Sequence, residues 1–212
     1  MNIKEFDFDS VILPEKTGVL LEIYDDSKTA KLPIIKEFTE QVLFKLLSEF
    51  KSSSIFEAGC AAGYSACFMK TCSPRAKVVT CDIDGGRIEK ARSNFSKAGF
   101  SSDIKAVYGD AEEVMRSFDA DAFDFVFIDA AKGQYPVYFN LCKKTLKTGG
   151  IAVFDNTGFW GMVTGGEKLI KRKRTIIKRM KEFLPSVLDN EDYESSYLPS
   201  GDGVLICIKK GG

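Results

Sequence analysis

From about Ser53 onward the chain alternates short runs of β-branched and aromatic residues with longer segments whose apolar positions recur at helical spacing. Neighbouring parallel strands need a crossover between them, so this alternation predicts repeated βα units around a parallel sheet. Strands are predicted near 54–58, 77–82, 104–108, 123–128 and 150–154, with crossover helices over 64–71, 86–98, 111–118 and 135–146. Past residue 156 come a loop rich in Gly and aromatics (157–166), a basic helix at about 167–184, an acidic loop, and two last strands near 193–198 and 204–209. Between those strands, Pro199-Ser-Gly-Asp-Gly203 carries the turn residues of a β-hairpin. The expected fold class is α/β: a doubly wound, mostly parallel seven-stranded sheet with a C-terminal antiparallel hairpin at one edge and helices on both faces. Residues 33–49 alternate apolar and charged positions at helical spacing, which predicts N-terminal helices that pack on the domain or cap its ligand cleft.

With 212 residues and no Pro-, Gly- or Ser-rich linker, a single domain is expected, 1–52 forming a helical cap segment and 53–212 the α/β core. Lys plus Arg and Asp plus Glu each total 30, so no global field favours nucleic acid or a membrane. The six cysteines lie mostly inside apolar runs, which fits buried, reduced thiols rather than a disulfide framework. No basic segment followed by an apolar one opens the chain, and no run of roughly twenty uncharged apolar residues occurs, so a soluble, cytoplasmic protein with no membrane partner is expected. Histidine is absent. That excludes a Ser-His-Asp or Cys-His nucleophile pair, a His-ligated zinc and a His general base, leaving acid–base work to carboxylates, Lys, Tyr or Cys.

Two predicted strands end abruptly in acid: Phe125-Val-Phe-Ile-Asp129-Ala-Ala-Lys132-Gly-Gln-Tyr135 and Ile151-Ala-Val-Phe-Asp155-Asn156. In an open parallel sheet such residues fall at the carboxyl edge, where these sheets bind ligands. Asp129, Asp155 and Asn156 are hard oxygen ligands suited to a divalent cation of the magnesium or calcium type, and Lys132 is placed to act on whatever that cation holds. A salt bridge from Lys132 to a neighbouring carboxylate is the competing reading.

The first βα turn reads Ile55-Phe-Glu57-Ala-Gly59-Cys-Ala-Ala-Gly63-Tyr-Ser65. Its glycines permit a sharp turn and close approach of a ligand, and the following helix presents unpaired N–H groups. The spacing is Gly-x-x-x-Gly, unlike the Gly-x-Gly-x-x-Gly of pyrophosphate-binding dehydrogenases, which counts against NAD or FAD. A turn that only packs a helix on a strand remains the alternative. The second strand ends Cys81-Asp82-Ile-Asp84, with Asp82 the candidate for a ribose diol and Asp84 for a helix cap. The third ends Tyr108-Gly109-Asp110-Ala111, either beside a nucleobase or a simple turn and cap.

Taken in order, these pieces resemble the class I S-adenosylmethionine-dependent methyltransferases. The later motifs, Phe127-Ile-Asp129-Ala-Ala-Lys132-Gly-Gln-Tyr135, Asp155-Asn156 and Leu198-Pro-Ser-Gly-Asp-Gly203, narrow the resemblance to the cation-dependent O-methyltransferases of the catechol and caffeoyl-CoA type. The resemblance runs from about Ser53 to Lys209 and implies a Rossmann-like fold. It also implies that Glu57 and Gly59 shape the methionine end of the cofactor pocket, Ser65 holds its carboxylate, Asp82 takes the ribose hydroxyls and Ala111 lies beside the adenine. Asp129, which also borders the cofactor, would join Asp155 and Asn156 as a metal ligand, most often for Mg²⁺, with Mn²⁺ or Ca²⁺ as alternatives. Lys132 matches the lysine assigned as general base. The implied reaction is methylation of a small catechol-like acceptor with vicinal oxygens, and the implied assembly is a homodimer.

Relatives commonly carry a Gly in the segment upstream of the first strand, whereas this chain has Leu32-Pro33-Ile-Ile-Lys-Glu-Phe, which leaves cofactor contacts from 32–38 unassigned. Phe159, Trp160 and Met162 are expected to flank a flat acceptor, with core or dimer interface as the alternative for Trp160. The run Lys171-Arg-Lys-Arg174, with Lys178, Arg179 and Lys181, reads as the solvated face of an amphipathic helix or as a phosphate-attracting patch. The second reading fits a tRNA hydroxyuridine O-methyltransferase of the same family, and a third is a non-catalytic S-adenosylmethionine-binding module.

Overall fold

The computed structural model describes residues 3–158, 161, 163, 165 and 173–211. Its seven strands form one sheet, as the sequence predicts, in the order β3-β2-β1-β4-β5-β7-β6. The chain divides into two compact units, Asp7–Ser117 and Phe118–Gly212 with Met1–Phe6.

In the first unit, helices α1 (Gly18–Thr29) and α2 (Glu37–Phe50) precede β1 (Ser54–Ala58), α3 (Tyr64–Cys72), β2 (Lys77–Asp82), α4 (Gly85–Lys97), β3 (Ile104–Tyr108) and α5 (Ala111–Arg116). β1 pairs with β2 and β2 with β3, both in parallel, so that Ala58 sits opposite Cys81 and Asp82 opposite Tyr108. This register brings the three strand ends to one edge. α2 begins at Glu37 rather than at residue 33, with Lys36 as its extended N-cap at φ −84° and ψ 162°. Val42, Leu43, Leu46 and Leu47 of α2 are buried, as the helical spacing requires.

The second unit contains β4 (Phe123–Ile128), a 3-10 turn (Lys132–Gln134), α6 (Tyr135–Thr145), β5 (Leu146–Phe154), α7 (Arg174–Leu188), β6 (Tyr193–Leu198) and β7 (Val204–Lys209). β4 and β5 are parallel, whereas β5–β7 and β6–β7 are antiparallel, which is the predicted C-terminal hairpin. β5 starts four residues before the predicted 150, since Leu146 already pairs with Phe123 across a register shift. Helix α7 runs through Pro185 to Leu188, past the predicted end at 184, carried by the buried face of Ile177, Met180, Phe183, Leu184 and Val187. Phe139, Phe154, Phe183 and Tyr193 pack ring on ring, with centroids between 4.9 and 6.3 Å apart. The predicted start of the basic helix (167–172), with Lys171 and Arg172, and the loop residues Phe159, Trp160 and Met162 lie outside the described residues.

Among the described residues no helix is long and apolar enough to cross a membrane. The six cysteines are free thiols, five of them buried.

Candidate active site

The residues singled out by the sequence form two clusters, one in each unit. In the first unit the turn after β1 hangs on the end of β2, for the amides of Gly59 and Cys60 both donate to the Cys81 carbonyl at 3.0 Å. Gly59 and Gly63 adopt φ of +98° and +81°, the left-handed conformations the turn demands of glycine. Asp82 organises the edge: its Oδ2 accepts from the Ala61 amide at 3.0 Å and its Oδ1 from the Asp84 amide at 3.0 Å. Its carbonyl accepts from Gly109 N at 3.1 Å, which ties the loop leading to Ala111 to the same place. Asp84 caps α4 through Arg87 N, and Asp110 caps α5 through Glu112 N, leaving Ala111 as the first residue of α5. Gly59, Asp82 and Ala111 are thus brought together, with Ser65 in the first turn of α3.

Glu57 is fully buried and accepts the Thr80 hydroxyl at 2.5 Å, placing a carboxylate two residues before Gly59. The N-cap of α3 is Gly63, which has no side-chain oxygen to offer, so the first amides of the helix have no side-chain cap. Uncapped helix amides suit a carboxylate, and an acid at the second strand end suits a diol. This donor set therefore fits S-adenosylmethionine. Burial pushes the Cys67 and Cys81 thiols up to about 12, so neither supplies a nucleophile at neutral pH.

Several residues here escaped the reading of the sequence. Asn94 of α4 is buried and donates to the Ala62 carbonyl at 2.9 Å, holding the turn from a position 32 residues away. Ile83 is apolar yet 69% exposed beside Asp82, and Tyr108, which the sequence placed at the end of the third strand, stands opposite Asp82 in register and is 65% exposed. An apolar residue set between two aspartates at a strand end was the available signal for Ile83. For Asn94 there was none.

In the second unit Ile128 pairs with Phe154, so the next residues, Asp129 and Asp155, emerge side by side from adjacent parallel strands. Asp155 N donates to Ile128 O at 3.0 Å, which fixes that alignment. Asp155 is buried, and its Oδ1 accepts from the Asn156 amide at 2.7 Å. Asn156 takes φ of +54°, a left-handed conformation that Asn tolerates. The buried Tyr135 hydroxyl donates to the Asp155 carbonyl at 2.6 Å. Lys132 pairs with Asp129 Oδ1 at 2.5 Å and lies 5.4 Å from the centroid of the Tyr135 ring. Burial alone would lower the pKa of Lys132, but Tyr135 and Asp129 outweigh it and raise the pKa above that of an ordinary lysine. The salt bridge is therefore present, and a proton acceptor at Lys132 requires relief from Asp129.

The turn of the C-terminal hairpin supports this cluster. Thr157 N donates to Gly203 O at 2.9 Å and Gly158 N to Asp202 O at 2.7 Å, so the hairpin turn cradles the segment after Asp155-Asn156. Sequence reasoning recognised the turn but not this use of it. Among the described residues no three His, Cys, Asp or Glu are grouped to hold a metal. A cation bound here would draw its third protein ligand from the Asn156 amide oxygen. Two carboxylates and one amide are hard oxygen donors, and this chemistry fits a magnesium-type ion.

An α/β sheet with a glycine turn, an acidic second strand end and paired acids on β4 and β5 defines a methyltransferase-like class. The model of the O-methyltransferase family matches residues 19–210, and the chain belongs to that family. It is similar to the caffeoyl-CoA O-methyltransferase of Stellaria longipes, 25% identical over an alignment of 217 positions that covers 97% of this chain and 89% of the relative. The catechol O-methyltransferase of Niastella koreensis is 29% identical over 153 residues, 69% of each chain. In fold it is similar to the crystal structure of the Bacillus cereus O-methyltransferase in complex with SAH, with a TM-score of 0.79 and 24% identity over 95% of this chain and 96% of that one. The protein is an S-adenosylmethionine-dependent O-methyltransferase.

Proposed function

We propose that the enzyme methylates one of two adjacent oxygens of a small, catechol-like acceptor in a reaction that depends on a divalent cation, Mg²⁺ before Mn²⁺ or Ca²⁺. The observation that carries this reading is the alignment of Asp129 and Asp155 at the ends of paired strands, with Lys132 on Asp129. Bound S-adenosylmethionine supplies the methyl group, and a bound divalent cation acidifies and aligns vicinal hydroxyls. For the donor, Gly59 and Glu57 shape the methionine end, the first turn of α3 with Ser65 takes the carboxylate, Asp82 the ribose and Ala111 the adenine side. For the acceptor, Asp129, Asp155 and Asn156 hold the ion, and Lys132 takes the proton of the hydroxyl to be methylated.

A second reading, methylation of a hydroxylated uridine in tRNA, is favoured by the exposed basic residues Arg174, Lys178, Arg179 and Lys181 of α7. The free cysteines support a reducing, cytoplasmic setting, and a homodimer is the proposed assembly. The test is incubation with S-adenosylmethionine, Mg²⁺ and a panel of catechols, repeated with chelator and with tRNA. Monomethylated catechol that disappears with chelator and returns with added Mg²⁺ is the expected result. Product that persists in chelator would overturn the cation assignment.

A further inference from the structure

A buried charged group lies outside every role assigned so far. Glu40 of α2 is 1% exposed. Its Oε1 accepts the Tyr64 hydroxyl at 2.7 Å, and its Oε2 pairs with Lys16 at 2.8 Å. Tyr64 is the first residue of α3, directly after Gly63, which closes the glycine turn, and directly before Ser65. Its ring lies 5.3 Å from that of Tyr24 on α1 and 6.3 Å from that of Phe68. Lys16 and Lys28 stand 4.9 and 4.3 Å from the centroid of the Tyr24 ring, and Gln41 donates to the Val11 carbonyl at 2.8 Å. The N-terminal segment is thus fastened to α2 at Val11 and at Lys16, and through Glu40 to the opening residue of α3.

We infer that the Lys16–Glu40–Tyr64 relay positions the first turn of α3 for the methyl donor, so that Glu40 and Tyr64 are positioning residues for cofactor binding. A buried carboxylate is costly to keep unless it is paired and hydrogen-bonded. Here both conditions are met by groups from separate segments of chain. The first turn of a helix is its least restrained part, because its amides lack intrahelical partners. With Gly63 as the N-cap, no local side chain restrains this one, so the restraint comes from outside, through the Tyr64 hydroxyl. Burial, then Glu40, push the Tyr64 hydroxyl above its ordinary pKa, so it remains a donor throughout the neutral range. From the other side Asn94 holds the Ala62 carbonyl, and Ala91 and Phe95 leave no room for a Cβ at Gly63. The turn and the helix start are held before the ligand arrives, and such preorganisation shows in affinity.

The inference rests on assigning the glycine turn to the donor and is independent of the acceptor. Calorimetric titration with S-adenosylhomocysteine tests it in three proteins, alongside melting temperature and the kcat and KM for S-adenosylmethionine. Tyr64→Phe keeps the ring contacts and deletes only the hydroxyl. Its expected effect is a roughly tenfold loss of affinity and a matching rise in KM, with kcat at saturating donor within about twofold. The double variant Lys16→Met with Glu40→Gln cuts the tie to the N-terminal segment and leaves Tyr64 only a neutral amide oxygen to donate to, so it should bind more weakly than wild type but lose less affinity than Tyr64→Phe does. A Tyr64→Phe protein that melts lower yet binds S-adenosylhomocysteine as wild type does would overturn the inference and leave the relay a fold staple. Loss of affinity in the double variant alone would overturn it as well. Wild type that fails to bind S-adenosylhomocysteine would instead refute the donor-site assignment.

Discussion

In the proposed reaction Lys132 is the residue on which the acceptor chemistry turns, and its surroundings set the conditions under which it can work. Paired with Asp129 and held beside Tyr135, it keeps its proton beyond the range of an ordinary lysine, in spite of burial. A cation taking up the Asp129 carboxylate would weaken that hold and repel the ammonium, and both effects favour the neutral amine. Lys132→Ala and Lys132→Arg separate the two readings of this side chain. Arginine keeps the ion pair but cannot give up its proton, so a structural lysine tolerates it and a base does not. For a general base, both variants should lose about 10²–10⁴-fold in kcat with donor affinity unchanged, measured by initial rates and titration. An arginine variant with near-normal kcat would leave Lys132 a structural residue. The sequence showed Lys132 three positions after Asp129, which made both the base and the salt bridge foreseeable. It could not show the weight of Tyr135 in the balance, because that depends on how a helix start folds back over a strand end.

At the scale of elements, strands were legible where apolar runs stop abruptly, as at Asp82, Asp129 and Asp155, and obscure where polar residues continue a ladder, as at Leu146–Gly150 of β5. Long-range supports were hidden for the same reason: Asn94 on Ala62 and the hairpin turn under Asn156-Thr157-Gly158 join segments far apart in the chain. Gly203 shows how tight that last support is. It adopts φ of +79°, and a Cβ there would come within 2.5 Å of the Gly158 amide nitrogen and 2.7 Å of the Tyr197 hydroxyl. Neither the backbone of Gly158 nor the buried Asp202-Gly203 end of the turn can yield cheaply. Gly203→Ala should therefore cost about 2–4 kcal/mol in denaturant unfolding, combining left-handed strain with overpacking. Because the displaced backbone follows Asp155-Asn156 directly, the concentration of Mg²⁺ needed for half-maximal activity should rise in the same variant. Unchanged Mg²⁺ dependence together with reduced stability would show that the hairpin supports the fold alone.

For the whole molecule, balanced charge and one basic helix pull toward different acceptors. Thirty basic and thirty acidic residues give no net field to draw a polyanion, yet α7 exposes Arg174, Lys178, Arg179 and Lys181, with Glu182 3.9 Å from Lys178. If that face only keeps a helix solvated, neutral catechols reach the site without its help and added salt screens nothing that matters. If it grips an RNA backbone, each neutralised phosphate releases counterions, and affinity falls steeply with salt. Methylation rates at subsaturating acceptor, compared between 50 and 200 mM salt, distinguish the two. For the small-molecule enzyme proposed here, kcat/KM toward a catechol should change by less than about twofold across that interval, and charge reversal at Lys178 and Lys181 should leave it in place. An RNA enzyme making six to ten phosphate contacts would instead lose roughly 10³-fold or more toward tRNA over the same interval. Since the proposed roles of Asp129, Asp155 and Asn156 toward vicinal oxygens are the same for either acceptor, the salt response reads the acceptor class without disturbing the chemistry.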